Sequence, residues 1–564
     1  MPECKEHIIS EAYADFIGEV SEGIEALREK YNANCPEFVN SRYVIFYAPF
    51  EKLEPLNIAN YPYSTIPKLY GLMDTTAPAA TGAIRLQNQT GFELTGRDVI
   101  IGFIDTGIDY TNPIFCYRSG QTRIIGIWDQ TDQSGNTPDG FYYGSEYTME
   151  DINRALESEN PLEVVPHTDT IGHGTFLAGV ACARYDEQND FIGTAPDSLL
   201  AIVKLKPAKQ YLRDFFMIGT DAPAYQENDI MLAVSYLQTL KEKYKKPLVI
   251  VLGIGSGSGD RAGGSPLSQQ LNDTGEIVGN CIVVCSGNEG NERLHYGAAI
   301  EENQIDDVEI RVDENNAGFV LELWGNSPDV FSVAFVSPLG ESVPRIPARK
   351  GVNERINFLL EGTVIEIGYS LVESGKGNEL IFMRFINPSP GIWTIRVYGT
   401  NILTGKYDIW ANLRQFTNEG TYFLKPSPEM TITVPSSSES VISVGGYNHT
   451  NNSIYPRTGR GFTSDYRVKP DIVAPAVNVF GPGTNRNYLR ATGTSIATAL
   501  TAGCCAQMMQ WGIVQQNEPY MKTNYIKKYF LRGAVRERDI EYPSSQWGFG
   551  QLNVYNSFVI LTRT

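Results

Sequence analysis

The stretch Val99-Ile100-Ile101-Gly102-Phe103-Ile104 runs directly into Asp105-Thr106-Gly107 and decides the fold class. An apolar run without alternation is typical of a parallel strand that is covered on both faces. Runs of the same kind follow at residues 199–205, 248–252 and 281–285, with helical stretches between them. The pattern predicts an α/β domain with a doubly wound parallel sheet.

This α/β pattern is interrupted between residues 300 and 430. Short β-type runs, separated by Gly, Pro and Asn turns, replace it there. The α/β pattern returns at residues 441–444, and a helix rich in small residues follows at residues 495–509. We therefore expect one α/β domain, residues 76–299 and 431–564, interrupted by an all-β domain at residues 300–430.

The N-terminal region has a pattern of its own. Apolar residues at helical spacing predict a helix over residues 8–31, and a strand-like apolar run follows at residues 43–47. We expect a separate small α/β unit over residues 1–75.

The length and the net charge of the chain limit the number of domains and the kinds of binding partner. The 564 residues, 42% of them hydrophobic, are enough for two or three domains, and the net charge of −19 disfavours binding to nucleic acid. The N-terminus shows no basic segment followed by an apolar one, and no apolar run approaches 18 residues. We expect a soluble protein without a secretion signal, and no membrane partner.

Most of the eight cysteines lie among apolar or small residues, namely Cys182, Cys281, Cys285, Cys504 and Cys505. This placement predicts reduced packing residues rather than a disulfide framework. Their spacing does not match a zinc site, and we expect no metal or other cofactor.

Two polar residues, Asp105 and His173, lie at positions that are typical of an active site in an α/β domain. Asp105 ends the first apolar run, and the carboxyl ends of parallel strands carry the active sites of open α/β sheets. His173, in Gly172-His173-Gly174-Thr175, opens a helix of small residues and fits a general base. Taken singly, each is more often a turn residue or a structural histidine.

Two further residues fit the same chemistry. Ser495, in Gly493-Thr494-Ser495-Ile496-Ala497, begins a helix of small residues, where backbone N–H groups can hold an oxyanion. Asn288, in Ser286-Gly287-Asn288-Glu289-Gly290, follows a strand and could donate its amide N–H to the same oxyanion. Singly, Ser is also a helix cap and Asn a turn residue.

Together, in the order Asp, His, Asn, Ser and with these flanks, the four segments resemble the subtilisin-like serine proteases over most of residues 98–297 and 431–560. The resemblance implies a serine endopeptidase with Asp105, His173 and Ser495 as catalytic triad and Asn288 in the oxyanion hole. Gly253, Ile254 and Gly255 resemble the family's strand that binds extended peptide substrates, although this family usually has Ser where this chain has Gly253.

By the same resemblance, residues 1–75 are a propeptide, an intramolecular chaperone whose tail lies in the active-site cleft as an inhibitor. The segment Ile66-Pro67-Lys68-Leu69-Tyr70-Gly71 corresponds to that tail, which implies self-cleavage between residues 70 and 80. We expect a monomer with protein or peptide substrates.

The layout, with an all-β insertion between the Asn and Ser segments, resembles the Csp-type germination proteases of clostridia. This implies a jelly-roll insertion, a cytoplasmic or spore location, and a cortex-hydrolase zymogen as substrate. Loss of catalysis with retention of the fold, as in a pseudoprotease, is the alternative, and the intact triad argues against it.

Two other hypotheses come from local motifs. Asp-Thr-Gly occurs at Asp105 and again at Asp273, as an aspartic protease would require, but a polar helical stretch precedes Asp273 and His173 would be unexplained. An oxygen-rich loop, Asp129, Asp132, Ser134 and Asn136, could bind calcium, but its spacing departs from the EF-hand and favours a plain surface loop.

Overall fold

The computed structural model describes residues 2–72, 81, 83–88, 93–351, 353–373 and 375–561. None of the helices within these ranges combines the length and the apolar character needed to cross a membrane.

The N-terminal unit is a three-stranded antiparallel sheet with two helices. Its elements are α1 (Pro2–Ile9), β1 (Tyr13–Glu19), α2 (Ile24–Lys30), β2 (Asn34–Phe38) and β3 (Tyr43–Pro49), and the sheet order is β1-β3-β2. The segment that follows this unit in the chain includes a short strand, β4 (Leu69–Leu72).

The predicted single helix over residues 8–31 is only partly right, because α2 occupies its last part and β1 occupies its centre. Ala14 and Phe16 on this strand pack into one hydrophobic cluster, and Ile17 packs into another. A strand that is buried on both faces lacks the alternation that distinguishes strands in a sequence.

The N-terminal unit also holds a disulfide, between Cys4 on α1 and Cys35 on β2. These two cysteines are not among the five that the sequence predicts as reduced packing residues. The helix and the strand are neighbours, which brings the two Cα atoms to 5.4 Å, within bridging distance. The other six cysteines are free and buried.

A nine-stranded, mostly parallel sheet forms the centre of the α/β domain, with the order β24-β23-β12-β10-β5-β8-β6-β7 and with β25 paired to β23. Its strands are β5 (Ile100–Asp105), β6 (Ile124–Asp129), β7 (Ser145–Thr148), β8 (Leu199–Lys204), β10 (Leu248–Leu252), β12 (Asn280–Cys285), β23 (Ile442–Asn448), β24 (Ser453–Ile454) and β25 (Ile472–Pro475). Outside this sheet lie β9 (Tyr225–Gln226), β11 (Ile254–Gly255), β26 (Val479–Pro482) and β27 (Tyr488–Ala491).

Helices cover both faces of the sheet, as the sequence predicts for a doubly wound domain. One apolar cluster joins the sheet to α3 (Ala83–Asn88), α4 (Met149–Leu156), α6 (His173–Cys182), α10 (Thr494–Met509), α11 (Thr523–Gly533) and α12 (Val554–Leu561). A second cluster on the other face joins it to α8 (Glu227–Tyr244), α9 (Pro266–Gly275) and the N-terminal unit. Two short helices, α5 (Pro161–Val164) and α7 (Gln210–Phe215), lie in the connections.

The insertion consists of two antiparallel sheets around one apolar core. The six-stranded sheet has the order β13-β21-β15-β19-β18-β17, and the four-stranded sheet has the order β16-β20-β14-β22. The strands are β13 (His295–Ala299), β14 (Ile305–Val312), β15 (Gly318–Gly325), β16 (Val330–Val336), β17 (Asn353–Phe358), β18 (Thr363–Ser370), β19 (Glu379–Ile386), β20 (Gly391–Asn401), β21 (Lys406–Ala411) and β22 (Tyr422–Phe423). The predicted class of this region, all-β, is therefore confirmed, and its description as a jelly roll stays a prediction.

Candidate active site

Three neighbouring parallel strands end at one edge of the central sheet and bring polar groups together. β5 ends at Asp105, Gly253 follows β10, and Asn288 lies shortly after β12. Helices α6 and α10, which pack against the same sheet, begin at His173 and Thr494. The topology therefore brings the four predicted site residues, Asp105, His173, Asn288 and Ser495, together at the carboxyl end of the sheet.

Asp105, His173 and Ser495 form one hydrogen-bonded chain. His173 Nδ1 lies 2.7 Å from Asp105 Oδ1, and His173 Nε2 lies 3.2 Å from Ser495 Oγ. All three side chains are buried, with 1%, 7% and 0% of their surfaces exposed. An aspartate that accepts the Nδ1 proton leaves the Nε2 lone pair facing the serine hydroxyl, which is the arrangement a general base needs.

The carboxylate of Asp169 holds the histidine and aspartate segments together. Its Oδ1 accepts hydrogen bonds from Thr106 Oγ1 and from the backbone N–H of Gly172, both at 2.8 Å. Its Oδ2 accepts from the N–H and the hydroxyl of Thr175 at 2.9 and 2.7 Å. One buried side chain thus ties the loop after Asp105 to the first turn of α6.

Gly174 allows the same two segments to approach each other. A Cβ atom at this position would overlap the carbonyl oxygen of Gly107 and lie 3.3 Å from Asp105 Cβ. The N–H of Gly174 donates to Thr106 Oγ1 at 2.9 Å. The glycine after the histidine is therefore required for the distance between His173 and Asp105.

Asn288 is oriented by the residue that precedes the serine. Its Oδ1 accepts hydrogen bonds from the backbone N–H and the hydroxyl of Thr494, each at 3.2 Å. A backbone N–H can only donate, so the atom facing Thr494 must be the amide oxygen. The amide NH₂ group is left as the donor for another acceptor.

The loop that begins at Asp129 was predicted to be a plain surface loop. This prediction is corrected in one respect, because Asp129 itself is buried. Asp129 is 1% exposed, and its Oδ2 lies 2.7 Å from His167 Nδ1 and 3.6 Å from the Lys204 ammonium. Burial alone would raise the pKa of Asp129, but the hydrogen bond from His167 and the charge of Lys204 lower it to about 2. His167 Nε2 accepts the N–H of Ile108, so this group also supports the segment after Asp105.

The described residues hold no group of three or more His, Cys, Asp or Glu side chains arranged to bind a metal ion. The second Asp-Thr-Gly segment, at Asp273, lies inside helix α9. Asp105 instead binds a histidine, so the carboxylate pair of an aspartic protease is not formed here.

The predicted substrate strand is shorter than the apolar run that contains it. Residues 248–252 belong to the central sheet, whereas Ile254–Gly255 form the separate strand β11. Gly253 lies between the two strands, and a Cβ atom there would lie 3.3 Å from Asp105 Oδ2 and from His173 Cε1. The backbone of this segment therefore passes directly beside the candidate triad.

β4 (Leu69–Leu72) lies beside this segment. It pairs antiparallel with β11 on one edge, with Ile254 opposite Leu72 and Gly255 opposite Gly71. On its other edge it pairs with β9, with Leu69 opposite Gln226. The chain's own residues 69–72 thus form the middle strand of three at the candidate site.

Three residues of the site, Asp169, Thr106 and Thr494, were not predicted from the sequence. Thr106 and Thr494 appear in the quoted motifs only as flanking residues, and Asp169 stands four positions before His173. Their roles depend on bonds between segments that are distant in the chain.

The Subtilase family model, peptidase family S8, matches residues 96–331 and 416–550, which is more than half of the chain. The PI-type proteinase of Lactococcus lactis subsp. cremoris is 20% identical over 86% of this chain and 27% of that proteinase. Serine protease AprX of Bacillus subtilis is 31% identical over 22% of this chain and 31% of AprX. The chain spans less than a third of the length of each of these two relatives.

A solved structure is similar over almost its whole length. The structure of the Clostridium perfringens CspB protease superimposes with a TM-score of 0.76 and 30% identity, covering 86% of this chain and 96% of that one. The extent of the family match, together with this likeness, shows that the chain belongs to the subtilase family.

Proposed function

We propose that Ser495, His173 and Asp105 are the catalytic triad of this protease and that it is an active endopeptidase. The observation that carries the proposal is the chain of hydrogen bonds from Asp105 through His173 to Ser495 Oγ. Ser495 Oγ attacks the substrate carbonyl carbon while His173 Nε2 takes the hydroxyl proton. The histidine then gives that proton to the leaving amine as the C–N bond breaks, which leaves an acyl-enzyme.

The second half of the reaction uses the same groups. A water molecule attacks the acyl carbon and passes a proton to His173 Nε2, and the histidine returns this proton to Ser495 Oγ as the ester bond breaks. Asp105 keeps its charge and holds the imidazole in one tautomer throughout. The cycle releases a carboxylic acid and restores the starting protonation states.

Asn288 and the backbone N–H of Ser495 are the donors that we assign to the oxyanion. The bonds from Thr494 turn the Asn288 amide so that its NH₂ group is available. Ser495 is the second residue of α10, at the end of the helix where the dipole favours negative charge. Both groups would stabilise the charge that develops on the carbonyl oxygen.

We assign Gly253, Ile254 and Gly255 to substrate binding, with the substrate as an added strand. The support for this assignment is β4, which already forms antiparallel strand pairing with β11. Residues 1–75 would then be the propeptide, with residues 66–71 as its tail in the cleft. Self-cleavage is expected between residues 70 and 80, of which 73–80 lie outside the described residues.

We further propose that the protease activates a zymogen, such as a spore cortex hydrolase, during germination. Support comes from the likeness to the Clostridium perfringens CspB protease, which extends over 86% of this chain. This role would place the protein in the cytoplasm or within the spore.

The first experiment is intact mass and gel analysis of the wild type beside Ser495→Ala. We expect the wild type to split between residues 70 and 80 and the variant to stay whole. Asp273→Asn is the matched control, because this carboxylate lies on helix α9, and it should split like the wild type. If both proteins stay whole and neither reacts with a fluorophosphonate probe, the active-protease proposal fails and a pseudoprotease is the better description.

The germination role needs a separate measurement. Purified cortex-hydrolase zymogen from the same organism, incubated with the wild type, should be cut at one bond, and Ser495→Ala should leave it intact. An active protease that does not cut this zymogen would contradict the role without affecting the assignment of the triad.

A further inference from the structure

The two faces of β4 contact different parts of the protein. Tyr70 is fully buried in the apolar cluster that lies against the central sheet, and Leu72 packs at the edge of that cluster. Leu69 packs on the opposite side, in a cluster that contains Leu413 and Phe416. Alternate residues of a strand point to opposite faces, so Gly71 faces the same side as Leu69.

The segment that covers this second face connects β21 to β22 within the β insertion. We call residues 412–416 the roof. Gln415 in the roof donates its Nε2–H to the carbonyl oxygen of Leu72 at 3.2 Å. The insertion therefore contributes a segment that contacts the backbone of β4.

The roof is held in place on both sides of Gln415. The backbone N–H of Arg414 donates to Glu289 Oε2 at 3.0 Å, and the Arg414 guanidinium donates to Glu292 Oε2 at 3.2 Å. The hydroxyl of Thr417 donates to the carbonyl oxygen of Asn412 at 3.2 Å. Glu289 follows Asn288 directly, so the roof is anchored next to the oxyanion residue.

Gly71 has no room for a side chain beneath the roof. A Cβ atom on this residue would overlap Gln415 Nε2, and it would lie 2.6 Å from Gln415 Cδ and 3.1 Å from Phe416 Cζ. Gln415 could move away only by giving up its bond to Leu72. Phe416 is 8% exposed and is packed in the cluster with Leu69, so it cannot move as easily.

The backbone of Gly71 does not itself require glycine. It lies in the extended strand β4 and is not among the glycines with positive φ. Glycine weakens a strand interior and often marks a place where another group approaches closely. The close approach of Gln415 and Phe416 is the feature that explains glycine here.

We propose that the roof selects glycine at the substrate position that faces Gly255, so that the enzyme cleaves extended protein segments with glycine shortly before the cut bond. This inference rests on the proposed function, because it takes residues 69–72 as the first substrate. The insertion then sets specificity through Gln415 and Phe416.

The test compares rates of self-cleavage in the full chain by intact mass, for the wild type, Gly71→Ala, Gly71→Val and the double variant Gly71→Ala/Gln415→Ala. Overpacking by a methyl group costs about 1–3 kcal/mol, so we expect Gly71→Ala to be about 10-fold slower and Gly71→Val slower still. Removing the Gln415 side chain should return the Gly71→Ala rate to within about 3-fold of the wild type, since that side chain occupies the space the methyl group needs. Fluorophosphonate labelling of each variant shows whether the active site is folded.

Peptides give a second measurement that does not depend on how the variants fold. A peptide with the sequence of residues 67–78 should be cleaved by the wild type at least about 10-fold faster than the same peptide with Val in place of Gly71. Equal rates, both for the two peptides and for self-cleavage of labelled Gly71→Val, would overturn the inference and leave the proposed function intact. If the wild type neither splits nor reacts with the probe, the proposed function fails first and this inference fails with it.

Discussion

Lys68 and Glu227 form a buried ion pair between the segment that leads into β4 and helix α8. The ammonium Nζ lies 3.5 Å from Glu227 Oε2, and the two side chains are 2% and 0% exposed. The backbones are joined as well, because the N–H of Glu227 donates to the carbonyl oxygen of Lys68 at 2.9 Å. The segment just before β4 is therefore fixed by charge and by backbone pairing together.

Lys68→Met should strongly destabilise the attachment of this segment, since it leaves the Glu227 carboxylate buried without its cation. Removing one partner of a buried pair costs about 3–5 kcal/mol. In the uncleaved Ser495→Ala background, we expect a fall of this size in the free energy of unfolding, measured by urea titration. The double variant Lys68→Met/Glu227→Gln should recover most of the loss. A change below about 1 kcal/mol in Lys68→Met would mean that the pair contributes no more than a surface ion pair.

The orientation of Asn288 gives a second prediction. Asn288→Ala removes the side-chain donor that we assign to the oxyanion, and kcat should fall by about 10²–10³-fold, the loss known for this donor in subtilisin itself. KM should change little, because the bond strengthens only as the charge develops. Peptidase kinetics on the activated enzyme measure both constants. A loss confined to KM would argue that Asn288 binds the substrate rather than the oxyanion.

A third prediction concerns the Thr494 hydroxyl, which helps to hold the Asn288 amide in its orientation. Thr494→Val keeps the backbone N–H but loses the hydroxyl that donates to Asn288 Oδ1. Losing one hydrogen bond of about 1 kcal/mol should reduce kcat by about 5-fold, which is far less than in Asn288→Ala. Thr494→Ser, which keeps the hydroxyl, should behave like the wild type. If Thr494→Ser is as slow as Thr494→Val, packing rather than the hydroxyl is responsible.

Asp169 should affect catalysis only by holding the segments of Asp105 and His173 in position. Asp169→Asn places an NH₂ group against N–H or O–H donors, either those of Thr106 and Gly172 or those of Thr175. The loops that carry Asp105 and His173 should then separate, and small misplacements of catalytic groups cost about 10²-fold in rate. We expect kcat to fall with little change in KM, while the exposed control Asp139→Asn stays at the wild-type rate. Wild-type kcat in Asp169→Asn would show that the loops hold their geometry without this carboxylate.

Features that depend on a short stretch of sequence were predictable. The run at residues 99–104 corresponds to β5, Ile100–Asp105, because a strand covered on both faces needs continuous apolar residues. His173 and Ser495 were identifiable because each opens a helix of small residues that has to be buried. The hydrogen bonds that join them to Asp105 agree with the arrangement implied by the family resemblance.

Features that depend on contacts between distant segments were not predictable. β1 faces two different apolar clusters, which removes its alternation, and the Cys4–Cys35 disulfide needs α1 and β2 to be neighbours. Gln415 and Leu72 are separated by 343 positions in the chain, and no local pattern connects them. The specificity that we infer for the roof therefore becomes visible only in the folded protein.

The stability of the N-terminal unit should fall between pH 4.5 and 7 because of Glu37. This carboxyl is 1% exposed, and burial raises its pKa to about 7 although hydrogen bonds from Tyr47 and Tyr142 act in the opposite direction. The unfolded chain loses this proton near pH 4.5, whereas the folded chain keeps it until about pH 7. Between these values the folded state binds more protons, so the free energy of unfolding decreases as the pH rises.

Glu37→Gln should remove this dependence, since the amide does not titrate. We expect the difference in unfolding free energy between the wild type and Glu37→Gln to change by about 3 kcal/mol across this window, with the wild type losing stability towards pH 7. Urea titrations of both proteins at pH 4.5 and 7.5, each in the Ser495→Ala background, measure it. A difference that stays constant with pH would show that Glu37 is ionised in the folded protein at both values, with Tyr47 and Tyr142 compensating for its burial.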